Sequence, residues 1–327
     1  MTDFWLNDLI RRLKVPYPIF FGLISVFLYL AGIPFMIVTD NIQFFLSEPT
    51  WIYLSIYGMI SGISVIFIYR NFKTSLSKIK NLFYSENEFQ NTRTKLLGYL
   101  THKVSWIFVG FWPILNIPRL IMPEFVNSWW RFYNQPFFVT LYYFIEGIPG
   151  WIFGGLFFYM IPFGLNLAYR ELCLKTVFND DLLSAEWMEP FVGFKRLITL
   201  TMIIAVINSL FIIIVWAPTL EQSPLIYFPY VSMIVILIPT IIYPHYSFNK
   251  LFSGLKTKYL KEFQRKLVNV RDQKKNDKIS EILILLRKSE IERMKTSLLD
   301  VKILAEVITV ALLHVIIIEV LTSIIHN

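Results

Sequence analysis

VPYPIFFGLISVFLYLAGIPFMIVT, residues 15–39, contains no Asp, Glu, Lys or Arg. A helix needs roughly 20 apolar residues to cross about 30 Å of hydrocarbon at about 1.5 Å per residue, and this stretch supplies them. It therefore reads as a transmembrane helix. The same absence of charge recurs over residues 49–69, 147–169, 197–220 and 222–249. With 55% hydrophobic residues, 17% aromatic residues and a mean hydropathy of +0.55, the whole chain of 327 residues departs from soluble composition. The expected class is an all-α integral membrane protein.

Two further spans are expected from weaker runs. Residues 104–118 are uncharged only as far as Arg119, so that helix must borrow residues 120–122 or sit inside the bundle. Residues 303–325 are rich in Val, Ile and Leu, yet Glu306, His314 and Glu319 are set among them. Their apolar residues contribute roughly −0.3 to −0.6 kcal/mol each, against about +2.5 to +3.5 for a central charge, so the stretch should insert. Seven spans with the N-terminus inside and the C-terminus outside put 29 of the 31 Lys and Arg on the cytoplasmic side, leaving only Arg119 and Arg131 outside. That is the positive-inside pattern, and it implies a multi-pass protein of the cell membrane.

The formal charge of +8 thus belongs to cytoplasmic loops rather than to a nucleic-acid site, and no DNA- or RNA-binding motif is present. Anionic lipid headgroups are the partner it implies. In FWLNDLIRRLK, Trp5, Leu9 and Leu13 share one helix face beside Arg11, Arg12 and Lys14, the pattern of an interfacial helix feeding the first span. The single cysteine, Cys173, excludes an intrachain disulfide.

Three regions follow: residues 1–246 as six spans with the interfacial helix, 247–299 as a cytoplasmic helical hairpin, and 300–327 as the last span. In the hairpin, Phe248, Leu251, Phe252, Leu255, Tyr259, Phe263 and Leu267 recur at helical spacing, as do Ile279, Leu283, Leu286, Met294 and Leu298 beyond the polar turn at 273–278. Its second arm has no glycine or proline before Asp300, so it is expected to run on into the final span. This order of elements is similar to that of insect odorant and gustatory receptor channels, a likeness of topology alone.

The fourth span reads FIEGIPGWIFGG at 144–155. Gly147, Pro149 and Gly150 can break a helix beside Glu146, and broken helices build ligand sites in transporters. Equally, Gly147, Gly150 and Gly154 can form a small face for close helix packing, with Pro149 only bending it. Pro229, Pro239 and Pro244 in the sixth span indicate kinks. No metalloprotease, nucleophile-elbow, P-loop, paired-cysteine or dinucleotide motif occurs, and no cofactor or metal is expected. Asp180, Asp181, Glu186 and Glu189 could hold Mg²⁺ in a lipid-modifying enzyme, although solvated or paired carboxylates are the commoner outcome.

Three functions follow in order. The first is an ion channel or transporter, oligomeric in form, with a polar pathway through Glu146, His314 and Glu319 and with Arg119 as counter-charge. The second is a scaffold or sensor assembled through its hairpin. The third is the lipid-modifying enzyme. On an ideal helix His314 and Glu319 stand about 140° apart, so each must meet a different neighbour.

Overall fold

The computed structural model describes residues 4–121, 136–176, 178, 189–220, 228–272 and 278–293, and among these every regular element is helical. The helices are α1 (Trp5–Leu13), α2 (Tyr17–Val38), α3 (Ile42–Ser47), α4 (Pro49–Lys78), α5 (Glu86–Leu100), α6 (Ser105–Ile121), α7 (Pro136–Tyr159), α8 (Asn166–Leu174), α9 (Val192–Leu220), α10 (Phe228–Asp272) and α11 (Lys278–Arg293). Four segments are long and apolar enough to cross a membrane: Tyr17–Val38, Trp51–Lys78, Phe137–Leu174 and Glu189–Asn208. They mark the chain as a helical membrane protein. The weaker run at 104–118 forms α6, of 17 residues, and the run at 222–249 enters α10. The stretch 303–325 lies outside the described residues.

α4 is the hub of the bundle, packed against α2, α7 and α9, while α6 lies along α7 and α10 along α8 and α9. The principal core joins Phe21 on α2, Val65, Ile66 and Phe72 on α4, Phe157 on α7 and Met202 on α9. A smaller core near the α2–α4 connection gathers Met36, Phe45, Trp51 and Tyr142. Without a hydrophobic force between helices in lipid, such shape-matched contacts and buried hydrogen bonds hold the bundle together.

α1 uses two apolar faces. Trp5, Leu9 and Leu13, the face expected from the sequence, are exposed, whereas Phe4, Leu6 and Ile10 are buried against the bundle. The Phe4 ring lies tilted against that of Tyr69, with centroids 5.3 Å apart, and the Phe4 amide donates to the Tyr69 hydroxyl at 3.3 Å. Helix α1 therefore has a protein side and a side available to lipid, with polar residues between them.

In sequence the fourth span is open to two readings, a break or a bent packing helix. α7 runs in α geometry through Gly147, Pro149 and Gly150 to Tyr159, and the departure comes later, as a π-helical turn at Met160–Leu165. A proline removes one backbone donor, and a single loss at Pro149 is absorbed in place. At Pro162 the chain widens instead, and Asn166 donates its amide to the Pro162 carbonyl at 2.8 Å. Helix α8 then continues the segment to Leu174, so residues 136–174 form one continuous helical rod.

The region boundary at 246/247 also falls inside a helix, because α10 is 45 residues long, about 67 Å. Phe248 and Phe252, expected on the hairpin, are fully buried in the bundle beside Tyr169, Phe191 and Phe194. Leu251, Leu255 and Tyr259 pack against the same core. The hairpin overlaps the end of this core, since α11 folds back along α10 and Lys256 Nζ donates to the Glu292 carbonyl at 2.6 Å.

α5 starts with an N-cap, in which the Ser85 hydroxyl accepts from the Glu88 amide at 3.2 Å. It docks on the rod through Lys95 Nζ, 2.6 Å from Glu171 Oε1, while Lys175 sits 3.2 Å from the other carboxylate oxygen. The hydrogen bond that Lys95 donates to Glu171 holds its ammonium pKa above the ordinary value.

Candidate intramembrane polar site

Small residues bring α2, α4 and α7 close enough to share polar groups. A Cβ on Gly58 of α4 would meet the Gly150 amide nitrogen of α7 at 3.1 Å, and one on Gly150 would meet the Tyr57 ring at 3.2 Å. Gly154 leaves room for the Tyr57 hydroxyl, and Gly32 of α2 leaves room for that of Tyr142. Gly150 and Gly154 are thus the packing face that their spacing allowed, and Gly147 accommodates the Trp151 ring of its own helix.

Glu146 lies where these three helices meet, with 1% of its surface exposed. Ser55 of α4 donates to its Oε1 at 2.6 Å, and Ser25 of α2 donates to the Ser55 carbonyl at 2.8 Å. One turn earlier on α7, the Tyr142 hydroxyl donates to the Leu28 carbonyl of α2. The second carboxyl oxygen, Oε2, is buried without a partner, and among the described residues no Lys or Arg pairs with Glu146. Ionisable groups inside membrane segments are expensive and face partners or pathways, so this carboxyl is the first candidate for function.

A second polar layer joins α4 to α9. The Ser61 hydroxyl donates to Asn208 Oδ1 at 2.9 Å, and Asn208 Nδ2 donates to Ser64 Oγ at 3.2 Å and to the Ile204 carbonyl at 3.0 Å. The Tyr57 hydroxyl approaches Ser61 without completing a hydrogen bond.

The third layer surrounds the π turn. Asn166, Tyr169, Thr201 and Thr240 line a seam between the rod, α9 and α10 that is too narrow to admit a water molecule. Asn166 bridges the helices through its amide, 3.3 Å from the Pro239 carbonyl. Its Oδ1, the Tyr169 hydroxyl and the Thr201 hydroxyl are all buried without partners. Each such group carries a desolvation penalty of about 1–3 kcal/mol, and π turns recur at functional sites. From Glu146 to Tyr169 the rod advances about 35 Å, the full thickness of the hydrocarbon core.

Of the residues expected from sequence, Glu146 is therefore buried in the bundle, while Gly147, Pro149 and Gly150 serve helix continuity and packing. Arg119 lies on α6, but its side chain is outside the described residues, as are His314, Glu319, Asp180, Asp181 and Glu186. Glu189 begins a 3₁₀ turn at Glu189–Phe191. Among the described residues no group of three His, Cys, Asp or Glu could hold a metal.

Sequence reading missed Ser55, Tyr57, Asn166, Tyr169 and Thr201. Lone asparagines in the uncharged runs were a signal for Asn166 and Asn208, since an amide in hydrocarbon needs a partner. Ser55 gave no such signal, because its partner lies 91 positions away. The fold and site together define a helical membrane protein with a buried carboxyl and a layered polar interior. No family model, curated protein or solved structure matches the chain.

Proposed function

We propose that this chain carries protons or small cations across a membrane, with Glu146 as its central ionisable group. One observation carries the reading: a carboxyl buried between three membrane-type helices, held by Ser55 alone and with its second oxygen unpartnered. Intramembrane carboxyls, retained despite their cost, mark ion pathways and proton relays among a short list of roles. Protons fit best, because the three layers offer carboxyl, hydroxyl and amide groups, and the seam by Tyr169 has no space for a hydrated ion. In this reading the N-terminus is cytoplasmic, seven spans are present, and His314 and Glu319 extend the pathway, with Arg119 as counter-charge.

The test is flux into liposomes containing the purified protein, read with an internal pH dye and separately with Na⁺ or K⁺ gradients. Glu146→Gln keeps the shape and hydrogen-bonding capacity of the side chain but cannot carry a proton, so flux should fall to that of empty liposomes. Flux equal to wild type in Glu146→Gln overturns the proposal. His314→Ala and Glu319→Gln test the extension in the same assay.

A second reading, assembly through the hairpin, rests on α11, where Leu283 and Leu286 are each 57% exposed. Apolar side chains in a row on a projecting helix favour burial against another helix, such as that of a second copy. Crosslinking in membranes discriminates: the hairpin reading predicts that Leu283→Glu/Leu286→Glu loses the crosslinked species of the wild type while retaining flux. Retention of all crosslinked species rules the hairpin out as the assembly element.

A further inference from the structure

We infer that the junction of α1, α2 and α4 is a binding pocket for the phosphate-bearing headgroup of an anionic lipid. The pocket has a volume of about 440 Å³ and is lined by Asn7, Arg11, Lys14, Arg70 and Lys73, with Ile10, Val15 and Pro16 closing it. Four of these side chains are cationic. Asp8, 2.6 Å from Arg11, offsets one of the four charges. The volume lies within the range of small-molecule sites and suits a phosphorylated ring better than a single phosphate.

The cations are arranged by the fold rather than scattered along a loop. Asn7 and Arg11 stand one turn apart on the polar strip of α1, between its buried side at Leu6 and Ile10 and its exposed apolar side at Trp5, Leu9 and Leu13, and Lys14 follows the helix as its left-handed cap. Arg70 and Lys73 stand one turn apart near the end of α4 and are half-buried. The Arg70 guanidinium is fixed at two points, donating from Nε to Asn7 Oδ1 at 2.8 Å and lying over the Tyr17 ring at 5.0 Å. A guanidinium fixed in this way is pre-ordered for an anionic oxygen, so less side-chain entropy is lost on binding.

The surroundings select a lipid over a soluble anion. α2, which begins at Tyr17 beside the pocket, is a membrane-type helix, and the exposed apolar side of α1 extends the greasy surface up to the pocket mouth. An acyl chain can follow α2 while the headgroup sits among the cations, as in basic pockets at the cytoplasmic ends of membrane helices. The assignment to the cytoplasmic leaflet rests on the orientation proposed above, but not on the role of Glu146.

The test uses the full-length protein in neutral phosphatidylcholine nanodiscs, titrated with short-chain phosphatidylinositol bisphosphate and separately with its water-soluble headgroup, inositol trisphosphate. The lipid should bind more tightly than the free headgroup. Arg70→Gln/Lys73→Gln should weaken lipid binding by about tenfold or more, each cation near such a surface being worth about 1 kcal/mol. The bonds that tie α4 to Asn7 and Tyr17 come from Arg70 and not from Lys14, so Lys14→Glu probes the pocket even if the double variant unfolds, and it should weaken binding to a similar degree. Lys256→Gln, on the hairpin, should leave binding unchanged. Lipid affinity unaltered by Lys14→Glu, or equal affinity for the free headgroup, overturns the inference.

Discussion

Gly155→Val is expected to collapse the packing of α6 on α7. A Cβ at position 155 would lie 2.6 Å from Val109 Cα, 2.7 Å from Val109 N and 2.8 Å from the Phe108 carbonyl oxygen, all of them backbone atoms of α6. Real Cβ atoms do not approach so closely, and backbone cannot turn aside as a ring can. At Gly62 the obstacle is the Phe21 side chain, and at Gly147 it is the Trp151 ring, both of which have rotamers to use. At Gly155 the whole of α6 must move outward, and valine adds two methyl groups to the collision. Overpacking of this kind costs about 3 kcal/mol or more, which in a chain of this length lowers an apparent melting midpoint by about four degrees or more. Purified variants heated in detergent and scored by the monodisperse fraction remaining provide the measurement. Gly98→Ala and Gly110→Ala serve as controls, since nothing lies within 4 Å of either added Cβ. Alanine in those helices should be neutral or stabilising by up to about 1 kcal/mol. A Gly155→Val protein that melts with wild type would show that α6 is not seated on α7 as described.

That glycine shows where sequence was informative and where it was not. The uncharged runs gave the long apolar helices because bilayer thickness is a local constraint, readable from twenty consecutive residues. Which glycine touches a neighbouring backbone depends on the mutual rotation of two helices, and no window of sequence holds that. Gly147, Pro149 and Gly150 looked like a break, yet the rod stays α-helical there and widens at Met160–Leu165 instead. Phe248 and Phe252 have the spacing of a hairpin arm, but the aromatic cluster around Tyr169 takes them into the bundle. On α1, Trp5, Leu9 and Leu13 were legible as an apolar face, while Leu6 and Ile10, only one position away on the helix wheel, proved to be the protein side. Glu146 was legible because a carboxyl in an apolar run is conspicuous. Its partner was not, since any of several serines in α2 and α4 could have faced it.

Glu146→Leu is expected to raise the stability of the protein while removing the transport proposed for it. Leucine is larger than glutamate by about one methylene group but shorter in reach, so the space among α2, α4 and α7 stays filled with modest repacking. The substitution deletes a fully buried carboxyl with one oxygen unpartnered. Removing an unsatisfied buried polar group recovers about 1–3 kcal/mol, and apolar replacement of buried charged groups is often stabilising by a similar amount. The opposing loss is the Ser55 hydroxyl, which would surrender its acceptor. Serine in a helix has an alternative, bonding the carbonyl four residues earlier, as Ser64 already does to Ile60 at 2.7 Å. Ser55 can turn to Trp51 in the same way, so little of the gain is lost. The expected result is a melting midpoint above wild type by several degrees, with flux abolished. Glu146→Gln should lose flux at nearly unchanged stability, because its amide still accepts from Ser55 and still fills the site. The opposite ordering, with Glu146→Leu melting below both, would mean that the carboxyl holds the three helices together. Glu146 would then be a structural residue, and the transport reading would lose the observation on which it stands.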